Sequence, residues 1–186
     1  MFIIKDNYYL YIENTKTLDL DIIKKNKKIS IIYRNNDVQE NYININKFRN
    51  ECKRKKFKFF VANDFKLAKY CRADGLYLSS YNKKIYLNRN LHVIGSAHSF
   101  KEINEKVKQG CDVVILSRLF KTSYKNKKSY LGTTKFNLMK KNFTIDLSPL
   151  GGINSFNLLK LNLVTSRSLC LFSEIKKKPA ITSRLF

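Results

Sequence analysis

A chain of 186 residues, 44% hydrophobic and 27% charged, can build one domain with its own core and needs no disulfide or metal staple. Thirteen Phe and eleven Tyr exclude intrinsic disorder, and no apolar run approaches the ~20 residues of a membrane-spanning helix. The 37 basic against 14 acidic residues leave a formal net charge of +23, which suits phosphate-bearing partners, nucleic acid among them.

In chain order, YYLYI (8–12) has strand character, and Thr17 is placed to cap a helix through LDLDIIKKN. ISIIYRN (29–35) is a β-branched strand, followed by a polar helix around 45–56. KFFVAND (58–64) is strand-like, FKLAKYC (65–71) a short helix, and GLYLSS (75–80) and LHVIGS (91–96) are strands. SFKEINEKVKQ (99–109) is the clearest helix. Ser99 and Glu102 form a capping box, Phe100, Ile103 and Val107 share one face, and Gly110 stands just past the end. DVVILSRLF (112–120) is a continuous apolar strand. TKFNLMKK is helical, FTIDLSPL a strand, NSFNLLKL helical, and RSLCLFS (167–173) the last strand.

Strand and helix alternate about eight times, and apolar strands joined by helices imply a parallel sheet covered on both faces. The count favours a closed (β/α)8 TIM barrel over an open doubly wound sheet. At this length its helices are short, and the single domain spans residues 1–186. The basic runs (24–28, 53–56, 125–128, 176–178) are dispersed and fit solvated helix faces better than one binding arm. Nucleic-acid binding therefore ranks third among the functional readings. Cys52, Cys71, Cys111 and Cys170 lack metal-ligand spacing and read as small buried residues. With no export signal in MFIIKDNYYLYIEN, the expected setting is the cytoplasm, with no membrane partner.

A parallel barrel works at the C-terminal ends of its strands. Arg34 stands after the second strand, Asn63 and Asp64 after the third, and Ser79, Ser80 and Asn82 after the fourth. Ser96 and His98 follow the fifth strand, Arg118, Thr122 and Lys125 the sixth, Gly151 and Gly152 the seventh, and Ser173 the eighth. The set holds hydroxyls, amides, cations and one central carboxylate. It contains no Ser–His–Asp or Cys–His arrangement and no close carboxylate pair, which argues against covalent acyl transfer and glycoside hydrolysis. Gly151-Gly152 lets backbone N–H groups approach an anion ahead of a helix starting near Asn154. Asp64 suits Mg²⁺, which takes one or two protein carboxylates and completes its shell with substrate oxygens. Each residue also has a plainer reading: Asn63 or Asp64 as the N-cap of the helix at Phe65, the glycines as a tight turn.

The segments VANDFKLAKYCRADGLYLSS (61–80), IGSAHSFKE (94–102), GCDVVILSRLFKTSYK (110–125), LGTTKFNLM and PLGGIN (149–154) resemble, in order and spacing, those of the thiamine-phosphate synthase and thiazole tautomerase superfamily. The likeness spans about residues 28–175 and is closer to the synthase branch, because the tautomerase branch has a histidine where this chain has Arg118. The resemblance implies a transferase that joins an aminopyrimidine diphosphate to a thiazole phosphate. Pyrophosphate leaves a stabilised cation, which the thiazole nitrogen captures. By the same likeness Arg34 and Asn63 bind the diphosphate, Ser96 and Lys125 contact the departing pyrophosphate, and Thr122, Gly151, Gly152 and Ser173 hold the thiazole phosphate. Asp64, with Asn82 as a neutral oxygen donor, holds Mg²⁺. The chain departs from the family pattern at Ile32, Asn36, Phe65, Asn82 and Tyr124. A weakened or non-catalytic barrel that binds a phosphorylated ligand therefore stands as the alternative, and homo-oligomer formation is left open.

Overall fold

The computed structural model describes residues 5–23, 27–35, 40–86, 91–122 and 129–171. Eight parallel strands close into a barrel in sequence order: β1 (Asn7–Ile12), β2 (Ile29–Tyr33), β3 (Lys58–Ala62), β4 (Gly75–Leu78), β5 (His92–Ala97), β6 (Val113–Ser117), β7 (Asp146–Leu150) and β8 (Ser168–Leu171). The final seam is made by β1 on β8, with Tyr9 opposite Cys170 and Leu10 opposite Leu171. Closure leaves no sheet edge to protect. No helix among the described residues is long and apolar enough to cross a membrane.

Two packed layers result from strand alternation. Tyr9, Tyr11, Ile32, Phe60, Tyr77, Ile94, Ile115 and Cys170 fill the barrel interior. Their sequence neighbours Leu10, Ile31, Phe59, Leu76, Val114 and Leu116 face the helices. Large and small residues interlock inside. At Gly75 an added Cβ would sit 2.6 Å from the Phe60 ring and 2.1 Å from the His92 carbonyl, so the glycine yields its space to that ring.

The outer layer holds α1 (Tyr42–Arg54), α2 (Phe65–Tyr70), α3 (Phe100–Lys108) and α4 (Gly132–Lys141). Asn41, Asp64 and Ser99 cap the first three by accepting backbone N–H bonds. α1 buries Ile45, Phe48 and Cys52 along one stripe. Gly110, at φ +75°, ends α3 as expected.

Three expectations are revised. The helix through residues 18–26 is absent from its described part. A 3-10 turn spans Thr15–Thr17, with Asn14 rather than Thr17 as its cap. The Asp19 carboxylate accepts the Asp21 N–H at 2.8 Å, so a local side-chain bond competes with helix. The α-helix expected from Asn154 is a 3-10 helix over Leu158–Leu163, because the Asn154 and Asn157 side chains cap one another's turn first. Finally, Phe100 and Val107 lie 47% and 44% exposed, while α3 turns Ile103 and Lys106 fully inward.

Candidate active site

All eight strands run the same way, so their C-terminal ends form one rim. At its floor stand two interior tyrosines. Tyr11 and Tyr77 meet edge to face with ring centroids 5.3 Å apart, and the Tyr77 phenol lies close to the hydroxyls of Ser96 and Tyr11. Burial pushes both phenols above their ordinary range, against the pull of the nearby Arg34 guanidinium. Arg34 leaves β2 with its N–H donated to the Ile12 carbonyl at 2.9 Å. Its Nε is buried and, among the described residues, has no hydrogen-bond partner. Among the described residues this leaves one buried donor open.

Beside this floor, Asn63 follows β3 with φ +58°. Its Oδ1 accepts from the Ser79 N–H at 3.0 Å and from Asn82 Nδ2 at 3.0 Å. Its Nδ2 donates to Ser79 Oγ at 2.8 Å and to the Tyr81 hydroxyl at 3.1 Å. The amide is thus bonded in all four directions open to it. Of these partners only Tyr81, 68% exposed, sits where a ligand oxygen can take its place at low cost.

Asp64 caps α2, Oδ1 accepting the Leu67 N–H at 2.9 Å. Among the described residues its second oxygen takes no hydrogen bond, and no cluster of three or more His, Cys, Asp or Glu side chains occurs. A single open carboxylate oxygen is a donor of the kind Mg²⁺ accepts, since that ion is content with few protein ligands. Asn82 fits less well. Its Oδ1 accepts the Lys84 N–H at 2.9 Å and its Nδ2 serves Asn63.

Across the rim, Arg118 spans the connection after β6. Its Nη1 donates to Thr122 Oγ1 at 2.8 Å and its Nη2 to the Ser129 carbonyl at 2.9 Å. The β7 end is latched to the same segment, with the Leu119 N–H on the Leu150 carbonyl and the Phe120 N–H on the Gly151 carbonyl. Gly151 and Gly152 have φ +97° and +71°. A Cβ on Gly152 would lie 2.4 Å from the Phe120 carbonyl oxygen, so this glycine is required first for contact between two backbones. Because the following helix is 3-10 and starts at Leu158, no α-helix N-terminus backs these N–H groups. His98 Nδ1 pairs with Ser117 Oγ at 2.8 Å. Lys125 and Ser173 lie outside the described residues.

The structure therefore groups Asn63 with Ser79 and Asn82, Ser96 with Tyr77 near Arg34, and Thr122 with Arg118. Sequence reasoning missed Tyr11 and Tyr77, which read as ordinary strand residues. Lys106, entirely buried on α3, was missed too. Its signal was its spacing three residues after Ile103, on the stripe that faces the sheet.

The family model described as Thiamine monophosphate synthase matches residues 10–175. A thiamine-phosphate synthase of Prochlorococcus marinus subsp. pastoris is 35% identical over 124 residues, covering 64% of this chain and 34% of the relative. Another, from Prochlorococcus marinus strain AS9601, is 27% identical over 183 residues, covering 93% of this chain and 52% of the relative. The chain thus spans about a third to a half of the length of the curated relatives it matches. Among solved structures, a thiamine phosphate pyrophosphorylase from Pyrococcus furiosus superposes with a TM-score of 0.75 at 18% identity, over 96% of this chain and 91% of that one. A thiamine phosphate pyrophosphorylase from Bacteroides thetaiotaomicron gives 0.60 at 17% identity, over 91% and 83%. At such identities the structural likeness speaks for the fold.

Proposed function

The chain belongs to the thiamine monophosphate synthase family, and on that premise we propose that it joins an aminopyrimidine diphosphate to a thiazole phosphate with release of pyrophosphate. One observation carries the reading: the Arg34 guanidinium stands beside the Tyr11–Tyr77–Ser96 hydroxyl row with a buried Nε that no described residue uses. A cation over neutral hydroxyls suits departure of an anion rather than attack by the protein.

In this scheme Arg34 and the Ser96 hydroxyl face the diphosphate, and the charge building on the leaving group is met by donors already in place. Asn63 offers its Nδ2 proton when a diphosphate oxygen displaces Tyr81. Thr122, held by Arg118, and the Gly151 and Gly152 N–H groups receive the thiazole phosphate, while Lys125 and Ser173 keep the phosphate-binding roles that the family likeness alone gives them. Mg²⁺, held through Asp64, supplies charge neutralisation at the diphosphate.

The test is an assay of the purified protein with aminopyrimidine diphosphate, thiazole phosphate and Mg²⁺. Formation of thiamine phosphate and pyrophosphate together supports the reading, and no product above a heat-inactivated control refutes it. A second reading, a barrel that binds the phosphorylated ligand without turnover, is favoured by the neutral Asn82 amide, already engaged with Lys84 and Asn63. Calorimetric binding of thiazole phosphate without product formation would select it.

A further inference from the structure

The connection from β4 to β5 is unlike those after β2, β3, β5 and β6, for it carries no helix in its described part, residues 79–86 and 91. Yet it bears Ser79, Tyr81 and Asn82, the partners that fix Asn63. Something other than a helix must hold it.

That support comes from α3. Lys106 is entirely buried, and its Nζ donates to the Ser79 carbonyl, the Asn82 carbonyl and Gln109 Oε1, each at 2.8 Å. Gln109 Nε2 in turn donates to the Asn82 carbonyl at 3.0 Å and the Lys84 carbonyl at 2.8 Å. All three protons of the ammonium are placed, and three carbonyls of one loop are held from behind. Room for the lysine stem is provided by Gly95 on β5, where an added Cβ would lie 2.9 Å from Lys106 Cγ and Cδ. An ammonium is costly to bury, and an apolar side chain of the same length would fill this lane without that penalty. What the apolar side chain lacks is the grip on the loop.

We propose that Lys106 is a positioning residue for the diphosphate half of the site: from outside the barrel it holds the 79–84 loop, and through that loop it sets Asn63 and Asn82. The inference rests on the functional reading above, which gives Asn63 to the diphosphate. The thiazole-phosphate half is latched separately, by Arg118 and the backbone bonds between 119–120 and 150–151. Loss of Lys106 therefore acts on one ligand and spares the other.

Lys106→Met keeps the stem and removes the donors. With Mg²⁺ present, calorimetric titration of the folded variant is expected to show affinity for inorganic pyrophosphate falling on the order of tenfold or more. Affinity for thiazole phosphate should stay within about twofold of wild type. General loosening of the fold would weaken both ligands alike, and that result, or no change in either, overturns the proposal. If Lys106→Met does not fold, Gln109→Leu decides. It removes one acceptor from Nζ and two donors from the loop, so the same one-sided loss must appear, and its absence overturns the proposal. Wild-type protein that binds neither ligand refutes the functional reading and takes this inference with it. Wild-type binding of both, with no split in the variants, refutes the inference alone.

Discussion

Gly152→Ala isolates what holds the β6 and β7 ends of the rim together. The added methyl would stand 2.4 Å from the Phe120 carbonyl oxygen, 2.5 Å from its carbon and 2.6 Å from the Lys121 carbonyl oxygen. These are backbone atoms, which cannot swing aside as a side-chain tip would. Alanine at φ +71° costs about 1–2 kcal/mol. Shifting the packed segment to relieve the overlap costs a further ~1–3 kcal/mol. The sum, about 2–5 kcal/mol, is a large share of the ~5–15 kcal/mol that holds a typical domain folded. Gly110→Ala is the matched control, because Gly110 also has positive φ, +75°, but nothing within 4 Å of an added Cβ. It should cost only the backbone part, ~1–2 kcal/mol. Urea unfolding of both variants measures the difference, which should appear in the midpoint with the slope unchanged. Because the displaced segment leads into Thr122, binding of thiazole phosphate should weaken in Gly152→Ala alone. Equal unfolding midpoints for the two variants would refute the steric reasoning.

Asp64→Asn should abolish Mg²⁺-dependent turnover and leave the melting temperature nearly unchanged, because asparagine caps α2 about as well as aspartate; turnover at the wild-type level would exclude the metal role. The thiols of Cys52, Cys71, Cys111 and Cys170 are all buried, and burial pushes them up, Cys111 to about 12. The native protein at pH 8 should therefore leave a chromogenic disulfide reagent unreacted and the urea-unfolded chain should consume four equivalents; a fast-reacting native thiol would contradict the burial. Stability should fall as pH rises above about 8. Unfolded thiols ionise from about 8.5 and unfolded tyrosines from about 10, whereas Tyr9, Tyr11, Tyr77 and the thiols of the folded chain, with raised pKa values, stay protonated. Each such group lowers stability by about 1.4 kcal/mol per pH unit. Lys5 and Lys106, lowered by burial, act the other way but are outnumbered. A urea midpoint unchanged between pH 9 and 11 would refute this.

The strands were legible because each is a short apolar run buried on both faces, and runs such as ISIIY and VVILS allow little else. Helices were legible where a capping residue opens them, as Asp64 does for α2 and Ser99 for α3. They were misread where Asp or Asn side chains bond nearby backbone, at Asp19 and at Asn154–Asn157, since that competition depends on rotamers and not on periodicity. The same limit applied at the rim. Asp64 was placed as both cap and metal candidate, and its two oxygens allow both. Spacing alone could show neither that Asn63 is bonded on all sides nor that α3 turns a lysine inward, because both follow from the path of the loop after β4.

The net charge of +23 is distributed in a way that bears on this chemistry. α1 ends in Lys53 and Arg54, α2 in Lys69, α3 in Lys106 and Lys108, and α4 in Lys140 and Lys141. Barrel helices run antiparallel to the strands, so these ends lie at the face opposite the rim. There, apart from the buried Lys106, cations offset the negative ends of the helix dipoles, at about 0.3–1 kcal/mol each. Few described cations serve the rim itself. Arg118 is occupied by Thr122 and Ser129, whereas Arg34 keeps a buried Nε that no described residue takes up. The overall field can speed the approach of any anion and weakens with salt. Under the proposed function, and among the described cations of the rim, the short-range selection of a diphosphate falls chiefly to Arg34, whose buried Nε is little affected by screening.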